Sequence, residues 1–358
     1  MTKNPMEREI TYAKAVLEAT AQCMAEDASV YIMGLGVPDP KGVFGTTLGL
    51  KDKFGDRRVM DMPVSENGMT GIAIGSAIVG LRPIMTHQRV DFMLLALDQI
   101  INNAANWHYM FGGKMKVPIT IRLLIGRGWG QGPQHSKSLQ SIFAHIPGLK
   151  VVMPFTPYDA KGLLVSAIRD DNPVIYIEHR WLHNIIGEVP ENIYSVPLGK
   201  ARIVKEGKDI TIVSSSYMVL ESMKAADYLD KDGISVEIVD LRTLQPLDRE
   251  SIINSVKKTG HLLVVDGACH TAGFAAEIIA TVTEKAFSCL KSSPQRLTLP
   301  DLPTPTSPAL ANFYYPRTIN IINTARSVFR LPERTEEELG ITHDQPLDVP
   351  DKSFTGPF

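Results

Sequence analysis

The chain has 358 residues, 44% of them hydrophobic and 21% charged, with a formal net charge of -2. That length points to two domains of about 100–200 residues each, and the near-neutral balance removes any electrostatic case for nucleic acid or an anionic membrane as partner. Cys23, Cys269 and Cys289 are widely spaced with no CxxC, which suits core thiols in a reducing compartment, and no stretch reaches the roughly 18 apolar residues of a membrane span, so the chain reads as soluble and cytoplasmic.

In chain order, Val16, Leu17, Ala21 and Met24 recur at helical spacing behind Thr11 as N-cap, and Val30 to Met33 reads as a buried strand stopped by Gly34 and Gly36. A second helix begins near Ser65. Its small residues, GMTGIAIGSA from Gly68, let the backbone approach a neighbouring helix or subunit closely. Further strands are expected at 83–86, 119–122, 151–153 and 174–177, each separated by a helix or a long loop. This is the pattern of a doubly wound α/β domain on a mainly parallel sheet. It is expected to fill residues 1–190, and Pro190, Pro197 and a Gly-Lys passage mark 191–208 as linker. A smaller α/β domain follows at 209–331, with strands at 210–214, 236–239 and 262–265 and helices over Val219–Leu229 and Ile252–Lys258. The charged, proline-bearing residues 332–358 read as a surface arm or disordered tail.

The segment MPVSENGMTGIAIG at 62–75 sets Glu66 at the mouth of a glycine-rich helix. Alone, such a residue reads as a helix-start carboxylate meeting the macrodipole. Phe92 alone reads as core, and His135 as a loop histidine. Together with GLRPI at 80–84, LDQIIN at 97–102, WHYMFGG at 107–113, PQHS at 133–136, PGLKVVMP at 147–154, DAKGLL at 159–164 and AIRDDNP at 167–173, however, the sequence resembles the β subunits of thiamine-diphosphate-dependent 2-oxoacid dehydrogenase E1 components. More distantly it resembles transketolases. The likeness runs in order over about residues 5–330 and implies a pyrimidine-binding domain followed by a transketolase C-terminal-type domain.

What the resemblance implies is specific. Glu66 would hydrogen-bond N1′ of the cofactor's aminopyrimidine, a strong charge-assisted pairing that turns the neighbouring amino group into a base. Phe92 would stack on the pyrimidine. His135, in the loop GQGPQHS, would serve the substrate or the reaction intermediate. Gly126 to Gly132, with Arg127 and Trp129, would form a turned loop near the cofactor or a subunit contact. Ile119, Ala167, Ile168, Asp170 and Asn172 match positions that hold potassium in some members; otherwise such Asp and Asn residues are caps and turn formers. The family's diphosphate-magnesium motif, Gly-Asp-Gly followed by an Asn pair, is not in this sequence. Magnesium and its ligands are therefore expected from a separate α subunit in an α2β2 heterotetramer, with a lipoyl-bearing E2 as acceptor and a small 2-oxoacid as substrate. The expected reaction is oxidative decarboxylation. The alternative is a split transketolase-like or acyloin-forming enzyme with an aldehyde acceptor, and a non-catalytic scaffold is the third reading. Thr86, His87 and Arg89 depart from the usual residues of such subunits, either repacking a subunit contact or adding positive charge near the substrate. The passage from Val265 to His270 also departs, and His87, His108 and His270 read equally as structural histidines.

Overall fold

The computed structural model describes residues 8–126 and 130–343. The strands among them are β1 Arg8–Thr11, β2 Val30–Met33, β3 Val59–Met60, β4 Arg82–His87, β5 Thr120–Ile125, β6 Lys150–Val152, β7 Val174–His179, β8 Ile186–Val189, β9 Arg202–Lys205, β10 Ile210–Ser214, β11 Val236–Asp240, β12 Thr243–Gln245, β13 Leu262–Cys269 and β14 Gln295–Leu299. One sheet has the order β12-β6-β7-β5-β4-β2-β3 and a second the order β14-β13-β10-β11-β9. In the first, only β12 is antiparallel to its neighbour; in the second, only β9 is. β1 and β8 form a separate antiparallel pair. The doubly wound α/β architecture with a smaller α/β partner is as the sequence implies.

A parallel sheet covered on both faces needs strands that are buried at every position, and β5, apolar apart from Thr120 and Arg122, is buried at all six. Alternate residues then go to opposite cores. Ile32, Ile84, Leu124 and Tyr176 join Val16, Leu163 and Leu164, beneath the packed helices Tyr12–Glu26 and Pro157–Arg169. Met33, Met85, Leu123 and Ile177 join Ala73, Ile74 and Ile100 on the other face, beneath the helix Glu66–Ile78. Both cores continue into the second sheet, through Ile212 and Ile238 on one side and Val213 and Val239 on the other.

One sequence expectation needs correction. Residues 202–205, read as linker, form the antiparallel edge strand β9; its two apolar residues, half exposed at an edge, are too few to show a strand period. The arm beyond 331 is docked as far as it is described: Arg326 Nε donates to Pro332 O, Thr335 caps a turn of helix Glu336–Leu339, and Leu339 and Ile341 pack on the core. Beyond that, the strand β12 leaves the second sheet's part of the chain to pair with β6 of the first. Arg242 on its approach meets Asp159 at 3.0 Å, and Gln140 meets Asp266 at 2.8 Å, so polar contacts as well as cores join the two sheets.

At the centre of the larger sheet, Arg122 on β5 holds Glu178 on β7 through Nε at 2.7 Å and Nη2 at 3.0 Å, both side chains being wholly buried. Arg122→Met would strand the carboxylate and should cost about 3–5 kcal/mol in urea unfolding, whereas Arg122→Met with Glu178→Leu should recover most of that loss. If the double variant is as unstable as the single one, the unpaired charge is not the cause.

Asp240, at the end of β11, is fully enclosed beside Asp159, and burial followed by that second carboxylate pushes it up to about 8. Its folded-state pKa thus lies above its unfolded value, so the native chain binds the extra proton. Stability from this group is complete below about pH 4 and is lost as pH rises through about pH 8. Asp240→Asn should flatten the fall of Tm between about pH 4 and pH 8; an unchanged fall would place its origin elsewhere.

Candidate active site

Glu66 opens the helix Glu66–Ile78, where the N-terminal end of the macrodipole favours a negative charge. It is 7% exposed, and among the described residues its carboxylate has no hydrogen-bond partner. Its oxygens are not among the fully enclosed unpartnered atoms of the described residues, so they stay open to a donor from outside the chain. The same helix turns Gly68, Ile72, Gly75 and Val79 outward on one face, with Ile72 and Val79 at 60% and 81% exposed. The small residues do bring backbone close, since Gly71 lies against Gln99, but most of the glycine face is uncovered.

Phe92 sits in the one-turn helix Val90–Met93 and His135 directly after the turn Gly132–Gln134. Their rings meet edge to face, with centroids 5.3 Å apart and planes at 89°, a favourable aromatic geometry. Two of the three expected catalytic and cofactor residues are thereby brought together. The helix that Glu66 opens packs on the turn Leu94–Ala96 that follows Phe92's helix.

The loop that carries His135 is tied to the Phe92 segment at two more points. Lys137 Nζ reaches Asp91 Oδ1 and Pro133 O, each at 2.8 Å, and the Asp91 side chain is 6% exposed. Arg89 donates through Nη1 to Gly126 O at 2.6 Å and through Nη2 to Gln131 Oε1 at 2.7 Å. Asp91, Lys137 and Gln131 were not legible as site residues, because a charge pair 46 positions apart leaves no local pattern; adjacency to Phe92 and His135 was the available signal.

The unusual stretch from Thr86 to Arg89 also finds its place. Thr86 and His87 are buried on β4, and burial drives His87 down to about 4, so it carries no charge at neutral pH. Gln88 Nε2 donates to Leu35 O at 3.0 Å. Arg89 is held near 10 by burial and by the neighbouring Arg180, and it stays cationic. Its ring partner is Phe44, which also lies under Arg180, at 5.7 and 4.8 Å respectively. The stretch builds an intrachain clamp on the His135 loop. His108 Nδ1 bonds Met115 O, and His270 bonds Arg296 and Thr298; neither joins the Phe92–His135 pair. Arg127 and Trp129 lie outside the described residues.

The five positions matched to a potassium site do cluster at the end of helix Pro157–Arg169. Arg82 Nη1 donates to Ile168 O at 3.2 Å and Asp170 O at 2.9 Å, and Lys150 pairs with the Asp170 carboxylate. Ala167 O accepts from Asp170 N, and Ile119 O from Val174 N. Asn172 Oδ1 is buried without a donor, while Arg82 and Lys150 already engage the oxygens of Ile168 and Asp170. Among the described residues no group of three or more His, Cys, Asp or Glu could hold a metal. None of their helices is long and apolar enough to cross a membrane.

The model of the transketolase pyrimidine-binding domain matches residues 8–184, and that of the transketolase C-terminal domain matches 199–321. The β subunit of acetoin:2,6-dichlorophenolindophenol oxidoreductase from Cupriavidus necator is 45% identical over 335 residues, covering 91% of this chain and 99% of that one. The pyruvate dehydrogenase E1 component β subunit of Bacillus subtilis is 42% identical over 321 residues, covering 89% and 98%. This chain belongs to the E1 β-subunit family. A solved split-gene transketolase, described as an inactive β4 tetramer, matches this E1 β chain with a TM-score of 0.74 over 91% of it and 100% of the other. At 20% identity that likeness speaks for the fold.

Asp91 and Lys137 should matter to this E1 β chain through the geometry of His135. Lys137→Met, measured in the assembled enzyme, should lower kcat roughly tenfold, about 1.4 kcal/mol, with KM little changed. Lys137→Arg, which keeps the tether, should restore most of it; equal losses in both would argue for a packing defect.

Proposed function

We propose that this chain is the β half of a thiamine-diphosphate-dependent E1 active site, completed by an α subunit in an α2β2 assembly, that oxidatively decarboxylates a 2-oxoacid and passes the acyl group to lipoamide on an E2 protein. The observation that carries this reading is the buried, partnerless Glu66 carboxylate beside an outward apolar face. Such a carboxylate suits a ligand nitrogen that holds a proton, and such a face suits a second subunit. When bound, thiamine diphosphate supplies a carbon nucleophile and an electron sink for cleavage of the carbon–carbon bond next to a carbonyl.

The chain's own residues have distinct tasks. Glu66, set at a helix start, holds the proton at the pyrimidine ring nitrogen. Phe92 offers a ring face and edge that position the pyrimidine and exclude water. His135, oriented by Phe92 and by the clamped loop, meets the substrate's polar end and donates to developing negative charge. Magnesium and the diphosphate contacts fall to the α subunit. Potassium would take Asn172 Oδ1 and the carbonyls of Ile119, Ala167, Ile168 and Asp170, stiffening the end of helix Pro157–Arg169. The cytoplasm is the proposed setting.

A second reading rests on a specific finding: the 45% identical relative is named for acetoin. Cleavage of a 2-hydroxyketone would use the same Glu66, Phe92 and His135 with a different leaving group. The transketolase-like reading with an aldehyde acceptor has only a fold likeness behind it.

Co-expression of the chain with its α partner, assayed with thiamine diphosphate, magnesium and an artificial electron acceptor, should give pyruvate-type 2-oxoacid turnover that neither subunit has alone. Glu66→Gln should lower it by roughly 10²–10⁴ without dispersing the assembly. Turnover of acetoin but of no 2-oxoacid would replace the first reading by the second, and full activity in Glu66→Gln would sink both.

A further inference from the structure

His270 ends the passage that departs from the family pattern, and the reaction proposed above gives it no task. It stands on the wall of a cavity of about 460 Å³ between β14, at the edge of the second sheet, and the helix Pro308–Tyr314. Arg296, Asn312 and Asn320 add to its polar side, and Leu299 and Phe313 to its apolar one. Among the described residues that line it there is no Asp or Glu.

Arg296 is set in place by His270. Its Nη1 donates to the His270 carbonyl at 3.1 Å, and its Nη2 to His270 Nε2 at 2.7 Å. A ring that accepts at Nε2 carries its proton on Nδ1, which lies 3.1 Å from Thr298 Oγ1; that hydroxyl in turn donates to Leu299 O at 3.1 Å. Donation therefore runs one way, from guanidinium through imidazole and hydroxyl to a backbone carbonyl, and it fixes the plane of the guanidinium.

This arrangement uses two of the five N–H groups that an arginine carries, and both go to uncharged acceptors. The carboxylate beside His270, Asp301, spends its oxygens on the Thr271 N–H at 2.9 Å and hydroxyl at 2.6 Å. An oriented guanidinium with donors to spare, facing a cavity rather than a counter-charge, is built to recognise a planar anion. Arg249 shows the contrast, since it holds Glu277 at 3.1 Å.

The rest of the wall describes the body of that anion. Phe313 is 90% exposed, and its bare ring offers an aromatic partner a stacking or edge contact. Asn320 accepts the Arg317 N–H at Oδ1, 3.0 Å away, which leaves its NH2 as the end available to a ligand. One positive charge beside a neutral imidazole matches one negative charge better than two.

We propose that this cavity binds an aromatic monocarboxylate. The carboxylate takes the remaining N–H groups of Arg296, and the ring lies against Phe313 and Leu299. The assignment needs no turnover, so it stands or falls apart from the reaction proposed above.

The test is a calorimetric titration of the full chain. The probes are 3-phenylpropionate, its uncharged isostere 3-phenylpropionamide, propionate, which lacks the ring, and inorganic phosphate. Phenylpropionate should bind saturably and more tightly than the other three. Arg296→Met should weaken it at least roughly tenfold, and Phe313→Ala, at an exposed position where folding is little at risk, should weaken it roughly fivefold. No saturable binding, equal binding of the amide, or binding untouched by Arg296→Met would overturn the proposal. Propionate binding as tightly as phenylpropionate, or no effect of Phe313→Ala, would overturn the aromatic part, and tighter binding of phosphate would overturn the carboxylate in favour of a phosphoryl group.

Discussion

The buried pair of Arg122 and Glu178 is the constraint around which the larger sheet is organised. Removing two charges from water is expensive, and only near-ideal geometry offsets it. Here the guanidinium grips both carboxylate oxygens from the neighbouring strand, while a further donor bond runs from Arg122 Nη2 to Thr46 at 2.9 Å. Burial alone would raise Glu178, but Arg122 and then His183 pull it below the ordinary carboxylate range. Burial also lowers His183, so that ring is not the main counter-charge. One ion pair therefore joins β5, β7, the loop after β2 and the turn after β7. β5 and β7 are the strands whose ends lead into the loop of His135 and to His179.

A fixed register at those strand ends has consequences outward. β5 stops at Ile125, and Gly126 turns with φ +93° while a side chain there would collide with His179. Arg89 then ties the carbonyl of Gly126, Lys137 ties the far side of the loop to Asp91, and the Phe92 and His135 rings close the gap between them. The second sheet supports the same region from below through Gln140 and Asp266. Burial raises Asp266, while Gln140 and the start of helix Phe274–Ala286 oppose that shift. The two sheets therefore act as one support for the site.

Much of this was legible in the sequence, for physical reasons. Central strands such as Val174–His179 open on continuous apolar runs preceded by turn residues, and helices such as Tyr12–Glu26 carry a cap and a period. Phe92 and His135 could be named from motif order alone, and the geometry brought them together. The parts that were not legible lack a local signature. β9 and β12 are short edge strands whose partners lie far along the chain, and the pairing of Asp91 with Lys137 is set by tertiary folding. The expectation of added positive charge at Thr86 to Arg89 met burial: His87 is neutral there, and Arg89 is engaged with the loop.

The helix Glu66–Ile78 presents its carboxylate at one end and its uncovered glycine and aliphatic face along one side. A rigid rod cannot move one without the other. Any shift of that face will carry the carboxylate with it, and any adjustment of the carboxylate will move the face. A chain of this kind can be well folded and still misplace its carboxylate, because whatever packs on the uncovered face also aims the helix start.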